Sequence, residues 1–196
     1  MDFFNEFTLV LGSKSPRRKQ LLEVLGFPVE VREQTVEERI PEHIPLGEVP
    51  VYLARLKATA FPSQDIKPNE IIITADTAVI LDNMLLGKPK DETEAFEFLK
   101  RLSGNSHIVI TGVCLKTCEK EHTFSSKTNV SFRKLTDEEI RYYISTFKPM
   151  DKAGAYGIQE WIGYIGVESI EGSFFNVMGL PTQKLFIELK KLLGKD

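Results

Sequence analysis

Apolar runs alternate along this chain with stretches that keep apolar side chains at helical spacing, and the alternation predicts an α/β or α+β fold. Phe7-Thr-Leu-Val-Leu-Gly12 reads as a buried strand. Ser15 and Pro16 follow as N-cap and first residue of a helix ending near Gly26, with Leu22 and Leu25 on the face of Arg18. A short strand is expected over 29–32, and a helix over 49–61, where Val49, Leu53, Leu56 and Ala60 keep helical spacing. Glu70-Ile-Ile-Ile-Thr-Ala75 is a second buried strand, running through Asp76 into 77–81 and a tight Asp82-Asn83 turn. Asp91 with Glu94 caps a helix that Gly104 closes. Residues 106–117 and 122–133 read as a long hairpin, and Thr136 with Glu139 opens another capped helix. Pro181 starts an amphipathic last helix whose final lysines suit its negative dipole end. No repeat, low-complexity segment or linker forces a second domain, so residues 1–196 are expected to form a single domain, of one or two lobes.

Composition narrows the function classes. The apolar share of 42% and charged share of 27% are those of an ordinary globule with a substantial core. A formal charge of -3 argues against a general nucleic-acid binder, leaving room only for a local basic groove. Met1-Asp-Phe-Phe-Asn-Glu6 carries no positive or long apolar leader, and no run is long enough to span a membrane, so a cytoplasmic location is expected. Cys114 and Cys118 on one strand would lie roughly 13 Å apart, too far for a disulfide. His43, His107 and His122 show no zinc-ligand spacing and are expected on the surface or on edge strands. Neither a Gly-x-Ser-x-Gly elbow nor a Walker loop is present.

The candidate chemistry sits at junctions and turns. In Gly12-Ser13-Lys14-Ser15-Pro16-Arg17-Arg18 a strand feeds a helix N-terminus, where unpaired N–H groups, the helix dipole and two arginines suit a phosphate better than a plain basic turn. Asp76, ending an apolar run, is either a solvated turn residue or a positioned base and metal ligand, and the rigid strand before it favours the second. Lys57, Lys88 in Gly87-Lys-Pro89, and the pair Glu37-Glu38 complete the charged set. Lys152-Ala-Gly-Ala-Tyr-Gly-Ile-Gln159 is poor core material. It reads either as a turn between elements or as a binding loop, in which glycines admit a ligand and Gln159 offers a donor beside an acceptor to a base edge.

In order, Ser13 to Arg18, Val36-Glu-Glu38, Leu53 to Ala58, Ala75-Asp-Thr77, Gly87-Lys-Pro89, Leu102-Ser-Gly104, Asp151 to Gln159 and Val177-Met-Gly-Leu-Pro181 resemble the motifs of the Maf family of nucleoside triphosphate pyrophosphatases. Lys14 departs from the small residue usual there; it either narrows the phosphate loop or points to solvent. The resemblance implies an elongated mixed β-sheet flanked by helices, with two lobes around a cleft, like inosine triphosphate pyrophosphatases. It implies attack of water on the α-phosphorus, releasing pyrophosphate. Asp76 then corresponds to the proton acceptor; Glu38 and Asp76 to ligands of Mg²⁺ or Mn²⁺; Ser13, Arg17, Arg18, Lys57, Thr77, Lys88, Lys152 and Gln159 to substrate-binding residues. Among these, Arg17, Thr77 and Gln159 match the branch acting on dTTP and UTP, and a homodimer is the family expectation. The rival readings are a house-cleaning pyrophosphatase for other modified nucleotides and a non-enzymatic septum-formation inhibitor.

Overall fold

Four residues, Thr8–Leu11, with three enclosed side chains form strand β1, and Ser15 then stops the extended chain by accepting a hydrogen bond from the Arg18 amide at the start of α1 (Pro16–Glu23). The chain continues through β2 (Val29–Val31), α2 (Val49–Ala58), β3 (Glu70–Leu81), β4 (Met84–Leu86), α3 (Glu92–Leu102), β5 (Ser106–Lys116) and β6 (Glu121–Phe132). It ends in α4 (Asp137–Phe147), α5 (Trp161–Gly166), β7 (Val167–Glu171), α6 (Phe174–Met178) and α7 (Thr182–Leu192). These elements come from a computed structural model that describes residues 6–194; most of the N-terminal stretch read above for a leader, and the last two residues, lie outside the described residues.

The sheet is mixed, in the order β2-β1-β3-β5-β6-β7, with β4 paired to β3. Strand β1 is parallel to β2 and β3, while β3–β4 and β6–β7 are antiparallel. Chain contacts group the molecule into two compact units: 6–76, 111–126 and 179–194 among the described residues, and 77–110 with 127–178.

In the first unit, Leu9 sits level with Val29 on one side and Ile71 on the other, so β1 is enclosed by its neighbours. Val10, Phe61, Ile66 and Ile72 form one apolar cluster, and Ala54, Ala58 and Cys114 a second under α2. Glycine is required at 112, because a Cβ there would lie 2.3 Å from the backbone at Pro50 and Val51. Arg32 donates two hydrogen bonds, at 2.6 and 2.9 Å, to the buried carboxylate of Glu70, holding it down to about 2 in pKa. Both cysteines are free, Cys114 buried and Cys118 just past the end of β5.

In the second unit, Asp82 and Asn83 both take left-handed backbone, giving the two-residue turn that joins β3 to β4. Asp91 caps α3, and Thr136 and Glu139 form a reciprocal capping box on α4. Val79, Leu99, Val130, Phe132, Tyr143 and Ile162 centre the core. His107, expected at a surface or an edge, is instead 2% exposed, because β5 lies between β3 and β6 in the sheet. Its ring packs edge-on against Phe132 and Tyr156, and burial pushes its pKa down to about 4.

Candidate active site

Ile71 to Ala75 are fully enclosed, so β3 delivers Asp76 from a rigid backbone. The Thr74 hydroxyl donates to the Ala54 carbonyl at 2.6 Å, docking α2 on this strand. Lys57, one turn further along α2, then reaches Asp76, and its ammonium donates to Asp76 Oδ1 at 2.6 Å. Glu38 Oε1 lies 3.3 Å from the same nitrogen. Two carboxylates from distant parts of the sequence therefore converge on one cation, with the Asp76 side chain 18% exposed.

Arg18 borders this group. Its Nε donates to the Gly179 carbonyl at 2.8 Å, and its Nη1 to the Ala75 carbonyl at 2.9 Å and Ser13 Oγ at 3.3 Å. Burial lowers the guanidinium below its usual pKa; Asp76 and Glu38 oppose that shift and Arg17 adds to it. The first unit thus assembles Ser13, Arg17, Arg18, Glu38, Lys57 and Asp76. The helix N-terminus differs from expectation in one respect: Ser13 Oγ accepts from the Ser15 amide and Ser15 Oγ from the Arg18 amide, so serine hydroxyls already satisfy two of its N–H groups. Lys14 points outward, 71% exposed and 3.8 Å from Glu33, and does not narrow the loop.

In the second unit the segment after α4 turns through two short 3-10 stretches, Pro149–Asp151 and Ala153–Ala155. Gly154 and Ala155 both have left-handed backbone, and the Gly154 amide donates to the Gly87 carbonyl at 3.0 Å. That bond ties the segment to the loop on which Lys88 is exposed. Tyr156 is buried with its hydroxyl 2.7 Å from His107 Nε2. The Glu160 amide closes a turn onto the Gly157 carbonyl at 2.9 Å, with Ile158 and Gln159 at its centre. Ile158 enters the core, whereas the half-buried Gln159 holds its Oε1 out of solvent with no hydrogen-bond partner. Lys152 is only 8% exposed, its ammonium 2.7 Å from Asp151 and 3.1 Å from Glu160. Thr77 is half-buried, next to Asp76 on β3, where successive side chains take opposite faces.

Sequence reasoning singled out neither Glu160 nor Tyr143, whose hydroxyl donates to Glu160 Oε2 and accepts from the Gly157 amide at 3.0 Å. The available signal was weak: Tyr143 shares the apolar face of α4 with Ile140 and Ile144, and Glu160 merely precedes a short apolar helix.

The donor chemistry at Asp76 fits a hard divalent ion. Glu38 and Asp76 offer carboxylate oxygens at a point already holding a positive charge, and Mg²⁺ commonly takes one or two protein carboxylates while keeping water and phosphate oxygens. Among the described residues no group of three or more His, Cys, Asp or Glu is placed to hold a metal.

A mixed sheet with helices and a carboxylate–lysine–arginine cluster at the middle of strand β3 define an α/β protein suited to a polyanionic ligand. A family model described as Maf-like protein matches residues 8–192. The chain is 52% identical over 193 residues to a dTTP/UTP pyrophosphatase of Phocaeicola vulgatus, covering 98% of this chain and 100% of that protein. It is 47% identical over 192 residues to a dTTP/UTP pyrophosphatase of Porphyromonas gingivalis, covering 97% and 96%. Among solved structures it is similar to the Staphylococcus aureus Ham1 protein at 16% identity and a TM-score of 0.51, over 92% of this chain and 99% of that one, a likeness of fold. The chain belongs to the Maf family.

Proposed function

We propose that this chain is a nucleoside triphosphate pyrophosphatase that hydrolyses dTTP and UTP to the monophosphate and pyrophosphate. The observation that carries the chemistry is the meeting of Asp76 and Glu38 at the Lys57 ammonium, with Arg18 alongside. Full-length identity of about half to relatives named for this activity supports the substrate class.

In this reading Asp76 accepts the proton of the attacking water or orients it, from a strand whose preceding residues are enclosed. Lys57, Arg18, Arg17, Ser13 and Lys88 supply positive charge and donors to the triphosphate. A divalent ion on Glu38 and Asp76 would supply Lewis-acid polarisation of the phosphoryl oxygens. Lys57 shares those carboxylates, and its charge becomes available to phosphate as they take up a cation. Gln159 reads the base, with Arg17 and Thr77 contributing to substrate choice. An unpaired buried acceptor such as Gln159 Oε1 suits the N3–H of thymine or uracil, and the same amide's NH₂ suits O4; cytosine reverses the pattern, with a donor N4 beside an acceptor N3, so an amide held in this one orientation mispairs with it.

A nucleotide panel tests this directly. Pyrophosphate release is measured with dTTP, UTP, dCTP and inosine triphosphate, with and without Mg²⁺ or Mn²⁺. The expected result is preference for dTTP and UTP, dependent on the ion. Preference for inosine triphosphate would replace this reading with a purine house-cleaning role, and no release from any nucleotide would overturn it.

A further inference from the structure

The segment from Lys152 to Glu160 is fixed at both ends through one carboxylate. Glu160 Oε1 pairs with the Lys152 ammonium at the start of the segment, while Oε2 accepts a hydrogen bond from the Tyr143 hydroxyl at its end. The same hydroxyl accepts the Gly157 amide at 3.0 Å, so a buried side chain of α4 satisfies the turn's first N–H from inside the core. Burial and the neighbouring carboxylate raise the Tyr143 pKa, which keeps the hydroxyl protonated and able to donate. The carboxylate of Glu160 also lies over the α-carbon of residue 157; a Cβ there would come within 2.7 Å of Glu160 Cδ, so only glycine allows the carboxylate to fold onto the turn. Between these fixed points stands Gln159, whose neighbour Ile158 is buried but whose own amide oxygen has no partner to orient it.

We propose that Glu160 and Tyr143 are positioning residues that set the orientation of Gln159, and that Lys152 is a tie within this network rather than a contact to phosphate. The proposal rests on the reading that Gln159 selects the base. Orientation matters because a donor–acceptor pair discriminates between base edges only when held in place; a turn free to rotate would satisfy either edge. The two residues act through the turn and touch no reacting atom.

The test compares Tyr143→Phe, Glu160→Ala and Glu160→Gln with the wild type. The first readout needs no nucleotide. Amide hydrogen exchange at Gly157, followed by NMR, should accelerate roughly ten-fold in Tyr143→Phe, the equivalent of losing one hydrogen bond. Acrylamide quenching of Trp161, the chain's single tryptophan and the neighbour of Glu160, should rise in Glu160→Ala. The second readout is the ratio of kcat/KM for dTTP over dCTP. It should fall by about five-fold or more in Tyr143→Phe and Glu160→Ala, through a raised KM for dTTP, with kcat on dCTP nearly unchanged. Glu160→Gln, whose carboxamide still accepts from Tyr143, should retain the Gly157 protection and most of the selectivity. Folded variants with wild-type exchange, quenching and selectivity would overturn the proposal; if Tyr143→Phe does not fold, the two Glu160 variants decide it. A wild type without pyrophosphatase activity would instead remove the proposed function, while exchange and quenching would still judge the network.

Discussion

Asp76 sits at the end of five enclosed residues and within hydrogen-bond distance of Lys57, so its replacement by asparagine tests chemistry with little change of shape. Asp76→Asn is expected to stay folded and to lose about 10²–10⁴ in turnover, the range for losing a general base. Pyrophosphate release within about ten-fold of wild type, under 1.4 kcal/mol or so, would show that Asp76 is neither base nor essential ligand. His107 makes a prediction about stability. Its folded pKa of about 4 lies below the unfolded value, so between the two the unfolded chain binds a proton that the folded chain refuses. Stability from this residue is complete above about pH 6.5 and is lost as pH falls towards 4, by about 2 kcal/mol between pH 7 and 5. Urea unfolding of the wild type and His107→Gln should show a smaller loss over that interval in the variant; equal losses would remove His107 as the cause. The two residues differ in legibility. An acidic residue after an apolar run is visible in the sequence, whereas nothing local distinguishes a histidine on an enclosed strand from one on an edge.

At the scale of elements, the helices most clearly marked in the sequence are those whose stop and start chemistry is local. Ser15 with Pro16, Asp91 with Glu94, and Thr136 with Glu139 cap α1, α3 and α4, and each motif spans no more than one turn. The strand predicted over 70–81 is continuous through Asp76, the half-buried pair Asp76-Thr77 being flanked by buried residues on both sides. Left out of the reading are α5, β7 and α6, all five or six residues long, too short for a periodicity of 3.6 or 2 to declare itself. The final helix begins at Thr182, with Pro181 outside it as the cap residue. Close approach of elements is equally invisible in sequence. Gly112 in β5 admits the first turn of α2, and an alanine Cβ would meet backbone atoms that cannot rotate away. Gly112→Ala is therefore expected to lower stability by about 2 kcal/mol or more, seen as a reduced urea midpoint at unchanged m-value. A wild-type midpoint would show that α2 shifts freely on the sheet.

For the whole molecule, the proposed metal pair with Ser13, Arg18 and Lys57 belongs to the first unit, and Gln159 and its supports, with Lys88, to the second, so the predicted losses differ in kind: turnover on every nucleotide from Asp76, selectivity from Gln159 and its supports. Both carboxylates of the proposed metal pair already share the Lys57 charge, so the fold does not depend on a divalent ion to neutralise them. Exhaustive chelation should abolish pyrophosphate release while leaving the thermal midpoint unchanged, which activity and melting curves on one sample will show. Full activity after chelation would remove the ion from the mechanism. By itself the sequence determined the longer strands and helices in their order and the capped helix starts, each written in residues within a turn or a strand of one another, together with the low net charge and the succession of Maf motifs. Tertiary structure alone decided that Glu38 meets Asp76 at Lys57, that Arg32 secures Glu70, that His107 is enclosed and that Tyr143 reaches Gly157 and Glu160. These partners lie between 14 and 38 residues apart or, for His107, on a strand whose neighbours come from elsewhere in the chain. Their meeting depends on how α2 and α4 dock against the sheet and core, a property of packing that no local run of residues encodes.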